Sequence, residues 1–128
     1  MNHPIIDLAI RIKNGYMARR ETIESPSSLF RIQVLKKLEE LGYVESFEEY
    51  GDIKKNVTIN LSYKNGEPAV SNVKLFSTPG QRQYVAAKQL KPVLNGLGHA
   101  IISTSRGIMS NVEAKKQKVG GELLFEIW

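Results

Sequence analysis

The 128-residue chain contains no cysteine, two histidines and one tryptophan. Without cysteine there is no disulfide, thiolate metal site, iron–sulfur cluster or cysteine nucleophile. Only His3 and His99 remain for imidazole chemistry; His3 reads as an exposed terminal residue and His99 as a loop or core residue. No apolar run approaches the roughly 18 residues that a membrane span needs. The opening Met1-Asn2-His3-Pro4-Ile5 also lacks the charged-then-apolar order of a secretory leader. The expectation is a cytoplasmic protein without membrane contact.

What is present is charge, unevenly placed. The chain carries a formal +5 and a pI near 9.5. Residues 74–118 hold Lys74, Arg82, Lys88, Lys91, Arg106, Lys115, Lys116 and Lys118 against Glu113 alone, and residues 1–20 hold Arg11, Lys13, Arg19 and Arg20 against Asp7. Between them, Glu39, Glu40, Glu45, Glu48, Glu49 and Asp52 have no intervening cation. Two readings fit: a face for a polyanion with another turned away from it, or lysines that merely keep a small domain soluble.

Periodicity outlines the fold. Ile5, Leu8, Ala9, Ile12 and Tyr16 predict a helix over 4–14, with Gly15 as its stop and Arg11 and Lys13 off the apolar stripe. A short strand is expected over 22–25. A helix over about 28–41 follows, capped by Ser27, striped by Leu29, Ile32, Leu35, Leu38 and Leu41, and ended by Gly42. Strands are expected at 44–50 and, from strict alternation, at 56–63, before the turn signal Lys64-Asn65-Gly66-Glu67. Beyond it come a strand led by Val70, Val73 and Leu75 and closed by Thr78-Pro79-Gly80, a short strand over 82–86, a helical piece at 88–95, a buried strand at 100–102, a short helix capped by Asn111, and a final strand over 122–128. This order is α+β, with an N-terminal αβαββ part (1–66) and a mostly β part (67–128). Neither part buries much alone, so the two should pack together.

Two clusters invite chemistry. Ser103-Thr104-Ser105-Arg106-Gly107 places three hydroxyls and a guanidinium directly after an apolar strand. Hydroxyls donate and accept, and Arg presents a planar fork, so the run suits phosphate, ribose or base edges. A nucleophilic Ser103 or Ser105 lacks its setting: the run is not Gly-x-Ser-x-Gly, has no Ser-x-x-Lys, and leaves His99 without an evident orienting acid. An ordinary Ser/Thr turn is the plainer alternative. The second cluster, Thr78-Pro79-Gly80-Gln81-Arg82-Gln83-Tyr84, sets an aromatic ring near a cation just past a rigid turn; it reads as a base-stacking surface or as a core or rim aromatic. Gly96-Leu97-Gly98 and Gly120-Gly121 read as helix termination and close backbone approach rather than a dinucleotide fingerprint. Asp7, Glu113 and Glu122 stand too far apart in sequence to argue for a metal or an acid/base pair.

In their order and spacing, these residues resemble the bacterial small-subunit ribosomal protein S-eight family over essentially the whole chain. The resemblance rests on Pro4-Ile5, Asp7 and Arg11-Ile12-Lys13-Asn14-Gly15; on Pro26-Ser27-Ser28 and Leu41-Gly42-Tyr43-Val44; on Pro79-Gly80 with Arg82 and Tyr84; on Gly96-Leu97-Gly98; on Ile102-Ser103-Thr104-Ser105-Arg106-Gly107-Ile108-Met109; and on Gly120-Gly121-Glu122. The resemblance implies two packed α/β parts without a cofactor or catalytic residue, monomeric off the ribosome. It also implies primary binding of small-subunit ribosomal RNA, which organises the central region of the subunit during assembly. Ser103, Thr104, Ser105, Arg106 and Gly107 would enter the minor groove of an irregular RNA helix, with Arg82, Tyr84, Gly121 and Glu122 on the same surface. Arg11, Lys13 and Asn14 would touch a further RNA segment. Neighbouring small-subunit proteins are implied partners, as is, for many bacterial members, their own messenger RNA. The chain departs from the usual family pattern at Val85-Ala86-Ala87, where basic residues are common, and at Lys91-Pro92, where the order is inverted. His3 also stands where the family usually has an acidic helix-starting residue, which makes Asn2 the expected cap.

Overall fold

The computed structural model describes residues 4–128, so the expected Asn2 cap and the terminal His3 lie outside the described residues. Helix α1 (Pro4–Met17) buries Ile5, Leu8, Ala9, Ile12 and Tyr16. It overruns the expected stop. Gly15 is a buried helical residue, and a Cβ there would lie 2.6 Å from Cγ2 of Ile23, so glycine serves close helix-to-strand packing and the left-handed turn moves to Arg19 (φ 57°).

Strand β1 (Thr22–Pro26) leads to α2 (Leu29–Glu40). The cap is Ser28, whose Oγ accepts from Arg31 N–H at 3.1 Å, while Ser27 bonds Glu49 instead. The expected stripe is also rotated: Leu29 is exposed, whereas Val34, Leu35 and Leu38 are buried with the stems of Arg31 and Lys37. Strands β2 (Ser46–Tyr50) and β3 (Asn56–Asn60) complete an antiparallel sheet of order β1-β3-β2. The alternation over 56–63 does not continue as one strand, because Leu61 N–H turns to Glu21 O and Ser62 N–H to the Tyr16 hydroxyl. A small hairpin, β4 (Tyr63–Lys64) with β5 (Glu67–Pro68), spans the turn expected at 64–67.

The second sheet is built around the last strand. Strands β6 (Val73–Leu75), β7 (Tyr84–Val85), β8 (His99–Thr104) and β9 (Gly107–Ser110) precede α3 (Asn111–Gln117) and β10 (Gly121–Ile127). The order is β6-β10-β8-β9, with β7 also on β10. The helix expected at 88–95 is instead two 3₁₀ turns, Ala87–Gln89 and Leu94–Gly96. Pro92 disfavours helical backbone at Lys91, and Leu94 and Asn95 take positive φ. The cap of α3 is Ser110 in a reciprocal capping box with Glu113, not Asn111. Asn111 is buried, and its amide accepts from Ala100 N–H and donates to Lys91 O.

The α+β body has one main core. Ile5, Leu8, Ile12, Val34, Leu35, Leu38 and Ile59 share it with Val73, Ile101, Leu124, Phe125 and Ile127 from beyond residue 66. Polar contacts ring the join. Lys37 Nζ lies 2.8 Å from Glu113, and the Tyr43 hydroxyl lies 2.7 Å from His99 Nδ1. Burial pushes the His99 pKa below its ordinary 6.5 against the partial counter-effect of Glu113, and burial also raises that of Tyr43. Both shifts favour the neutral forms of the pair, which share one hydrogen bond whose donor follows the imidazole tautomer.

Phe125→Ala should cost about 3–5 kcal/mol in urea unfolding. In the unchanged protein, Trp128 fluorescence and far-UV circular dichroism should share one midpoint, because the core is common to both sheets. A depressed histidine pKa means that the unfolded state binds the proton more readily. Stability should therefore fall as pH drops below about 6.5 and level off below the folded value, and His99→Gln should flatten that segment of the curve.

Candidate nucleic-acid interface

Strands β8 and β9 form a tight hairpin in which Thr104 pairs with Gly107 and only Ser105 and Arg106 lie between. The tip is exposed and internally braced. The Thr104 hydroxyl accepts from Arg106 N–H at 3.0 Å and donates to Gly107 O at 2.8 Å, leaving the Ser105 side chain outside these bonds. Gly107 sits at φ 110°, a conformation that a side chain disfavours. Arg106 Nη1 lies 3.5 Å from Gln117 Oε1 at the end of α3.

Beside this tip, register places Ser103 opposite Glu122 and Glu122 opposite Tyr84. Residues directly paired across antiparallel strands project to the same side, so these three form a row on one face of the sheet. Tyr84 is 74% exposed, which settles it as a surface ring and not a core one. Glu122 is mostly covered and is met by Arg82 at 3.3 Å. The loop before Tyr84 is anchored by buried Ser77, whose hydroxyl donates to Leu123 O and accepts from Gln83 N–H. The preceding residue along β10, Gly121, pairs with both Thr104 and Val85. A Cβ on Gly121 would lie 2.2 Å from Ser103 O, and one on Gly120 would lie 2.4 Å from Val85 O. The double glycine is what lets β7 and β8 both close onto β10.

Ser103, Thr104, Ser105, Arg106, Gly107, Arg82, Tyr84, Gly121 and Glu122 are thus brought together at one end of the second sheet. The N-terminal candidates are not one cluster. Arg11 donates to Asp7 and to Glu24 O and borders a groove with Asn14 and Arg20, whereas Lys13 borders a different hollow beside Val73 and Leu75. Two positions along a helix separate side chains by about 200°, which explains the split. Asp7 also accepts from buried Arg31, which bonds Ser25 Oγ as well. Burial opposes ionisation of Asp7, but Arg11 and Arg31 outweigh it and hold its carboxyl below the usual range. Likewise, burial raises the Glu113 pKa less than Lys37 and Ser110 lower it. These carboxylates are tied up as structural partners of arginine or lysine.

Sequence reasoning missed the flank of this surface. Leu29, Phe30 and Gln33 of α2 line a hollow with Ser103, Thr104, Gly107 and Ile108. The exposed Leu29, where the helical stripe calls for burial, is the local sign, but its neighbour is set by contact across more than 70 positions. In chemical terms the surface offers hydroxyls, an exposed aromatic face and cations, with no nucleophile–base pair around Ser105 among the described hydrogen bonds. Gly121→Ala should lower the melting temperature by several degrees and disturb amide resonances of Tyr84, Val85 and Ser103 together, since the added methyl must separate β10 from β8.

The chain matches the family model described as Ribosomal protein S8 over residues 3–128. It is 41% identical over 124 residues to the small ribosomal subunit protein uS8 of Spiroplasma kunkelii, covering 97% of this chain and 96% of that protein. Identity is 42% to the protein of the same name from Neisseria meningitidis serogroup C, covering 97% and 95%. It is 43% over 127 residues to that from Anaeromyxobacter sp., covering 98% and 96%. A match that runs almost end to end takes in both sheets, the Ser-Thr-Ser hairpin and the double glycine, and the chain belongs to the ribosomal protein S8 family.

Proposed function

We propose that this chain, a non-enzymatic ribosomal protein, is a primary binder of small-subunit ribosomal RNA and acts there by holding RNA shape during assembly of the subunit's central region. The observation that carries this reading is the braced hydroxyl tip beside the Ser103–Glu122–Tyr84 row. An A-form duplex hides base edges in a deep, narrow major groove, whereas its shallow minor groove displays ribose hydroxyls and base edges. Short hydroxyl side chains on a stiff turn fit that surface, and long ones would not. Ser105 and Ser103 read the groove, Thr104 and Gly107 hold the turn, and Tyr84 stacks on an unpaired base. Arg82 keeps Glu122 paired beneath that base, and Gly121 supplies the close strand approach. Arg106 takes phosphate.

Arg11 and Asn14 contact a further RNA segment through their shared groove, and Lys13 contacts phosphate from the other side of α1. The division at residues 66 and 67 separates a scaffold part from an RNA-reading part. Off the ribosome the protein is a cytoplasmic monomer, and on it neighbouring small-subunit proteins adjoin the faces away from the tip. The same surface represses translation of its own messenger RNA wherever that transcript presents a similarly irregular helix.

Ser105→Ala should weaken binding to small-subunit ribosomal RNA by about 1–3 kcal/mol while leaving circular dichroism unchanged. Affinity should fall with salt on a log–log slope that reports a handful of phosphate contacts. A complex indifferent to salt, or active-serine labelling abolished by Ser105→Ala, would overturn the proposal. Competition between ribosomal RNA and the protein's own transcript tests the repressor activity.

A further inference from the structure

On the opposite face of the second sheet from Ser103, helix α3 and the segment around Pro92 enclose an open groove of about 460 Å³. Its floor is apolar, formed by Leu90, Pro92 and the exposed Val112, and its rims carry Lys91, Lys115 and Lys116. No carboxylate lines it among the described residues. The adjacent acid on α3, Glu113, is engaged by Lys37 and the Ser110 cap. Among the described residues, Lys91 and Lys116 have no ion-pair partner.

The walls are held rigidly. Asn111 donates to Lys91 O at 2.8 Å and accepts from Ala100 N–H at 3.1 Å, and Lys115 Nζ donates to Leu90 O at 3.1 Å across the groove. Three lysines thereby border one groove with no carboxylate in its lining, a local excess of positive charge that favours an anion. The groove also leads to the hairpin tip. Arg106 touches Gln117, the last residue of the seven-residue α3, and a helix of that length spans only about 10 Å. The cations therefore continue from Arg106 along α3 to Lys91. A row of separated cations that starts at the tip matches a chain of phosphates better than a single small anion or a short acidic peptide.

We propose that this lysine-rimmed groove takes the sugar–phosphate backbone of the same RNA, at a segment distinct from the one read by the Ser-Thr-Ser tip, so that RNA is held on both faces of the sheet. The inference rests on the RNA-binding reading above. It also compensates for the neutral Val85-Ala86-Ala87, since phosphate contact would come from α3 instead.

The test is a Lys91→Ala/Lys116→Ala double variant of the full chain, titrated with small-subunit ribosomal RNA of a bacterium at several salt concentrations, alongside Ser105→Ala. The double variant should fold normally by circular dichroism, bind about tenfold more weakly near 0.1 M salt, and lose roughly 1–2 from its log–log salt slope. Hydroxyl-radical footprinting should show one backbone segment deprotected while the tip's own segment stays protected. Ser105→Ala should weaken binding without changing the slope. If the double variant keeps the wild-type slope and footprint while Ser105→Ala still weakens binding, the groove proposal is overturned and the tip reading stands. If wild-type protein fails to protect the RNA at all, both fall. Selective capture of an acidic peptide, with the RNA footprint unaltered, also overturns the groove proposal.

Discussion

The second sheet depends on how closely two strands approach β10. At Gly120 and Gly121 the backbones of β7 and β8 come within the distance that any side chain would occupy, as the 2.4 Å and 2.2 Å separations from a built Cβ show. That approach lets one strand pair on both edges at its first residues and brings Tyr84, Glu122 and Ser103 into a row. The other half of β10 does different work. Leu124, Phe125 and Ile127 enter the core shared with α1 and the first sheet. One strand thus couples a shape-reading surface to the most deeply buried apolar contacts in the molecule, and the surface inherits their rigidity.

Polar groups divide their roles by reach and by burial. Lys37 with Glu113, Tyr43 with His99, and Arg31 with Asp7 and Ser25 are covered contacts between elements, and they fix how the pieces sit. Exposed cations such as Arg106 and Lys116 remain available for phosphate. Affinity from long charges and specificity from short hydroxyls are separable properties, because phosphate contacts position a protein while groove contacts discriminate. The acidic stretch at 39–52 covers the end of α2, β2 and the turns beside them, and none of its carboxylates lines the hollow where α2 flanks the hairpin tip.

Much of the fold was legible as periodicity. Ile5, Leu8, Ile12 and Tyr16 marked α1 because helical spacing is local, and the alternation of Val57 and Ile59 marked β3 for the same reason. Element ends were less legible. Gly15 looked like a stop and is a packing glycine, because its reason is Ile23 on another element. Ser27 and Asn111 looked like caps, yet Ser28 and Ser110 cap, since the neighbouring serines reach the free N–H groups. Residues 88–95 carried a helical composition that Pro92 and two positive-φ residues override.

The site divides along the same line. The run Ser103-Thr104-Ser105-Arg106-Gly107 announces a polar turn after a buried strand, and hydroxyl and guanidinium chemistry follows from residue type alone. Sequence also determined the α+β order, the absence of cysteine chemistry and the cationic bias of the C-terminal half. Only the tertiary structure decided that Tyr84 faces solvent beside Ser103, that Arg11 and Lys13 diverge, and that Lys91 and Lys116 line one groove. Spacing along a chain reports what one element exposes. Register between strands and packing between layers join residues tens of positions apart, and those contacts are settled by close packing of the whole body.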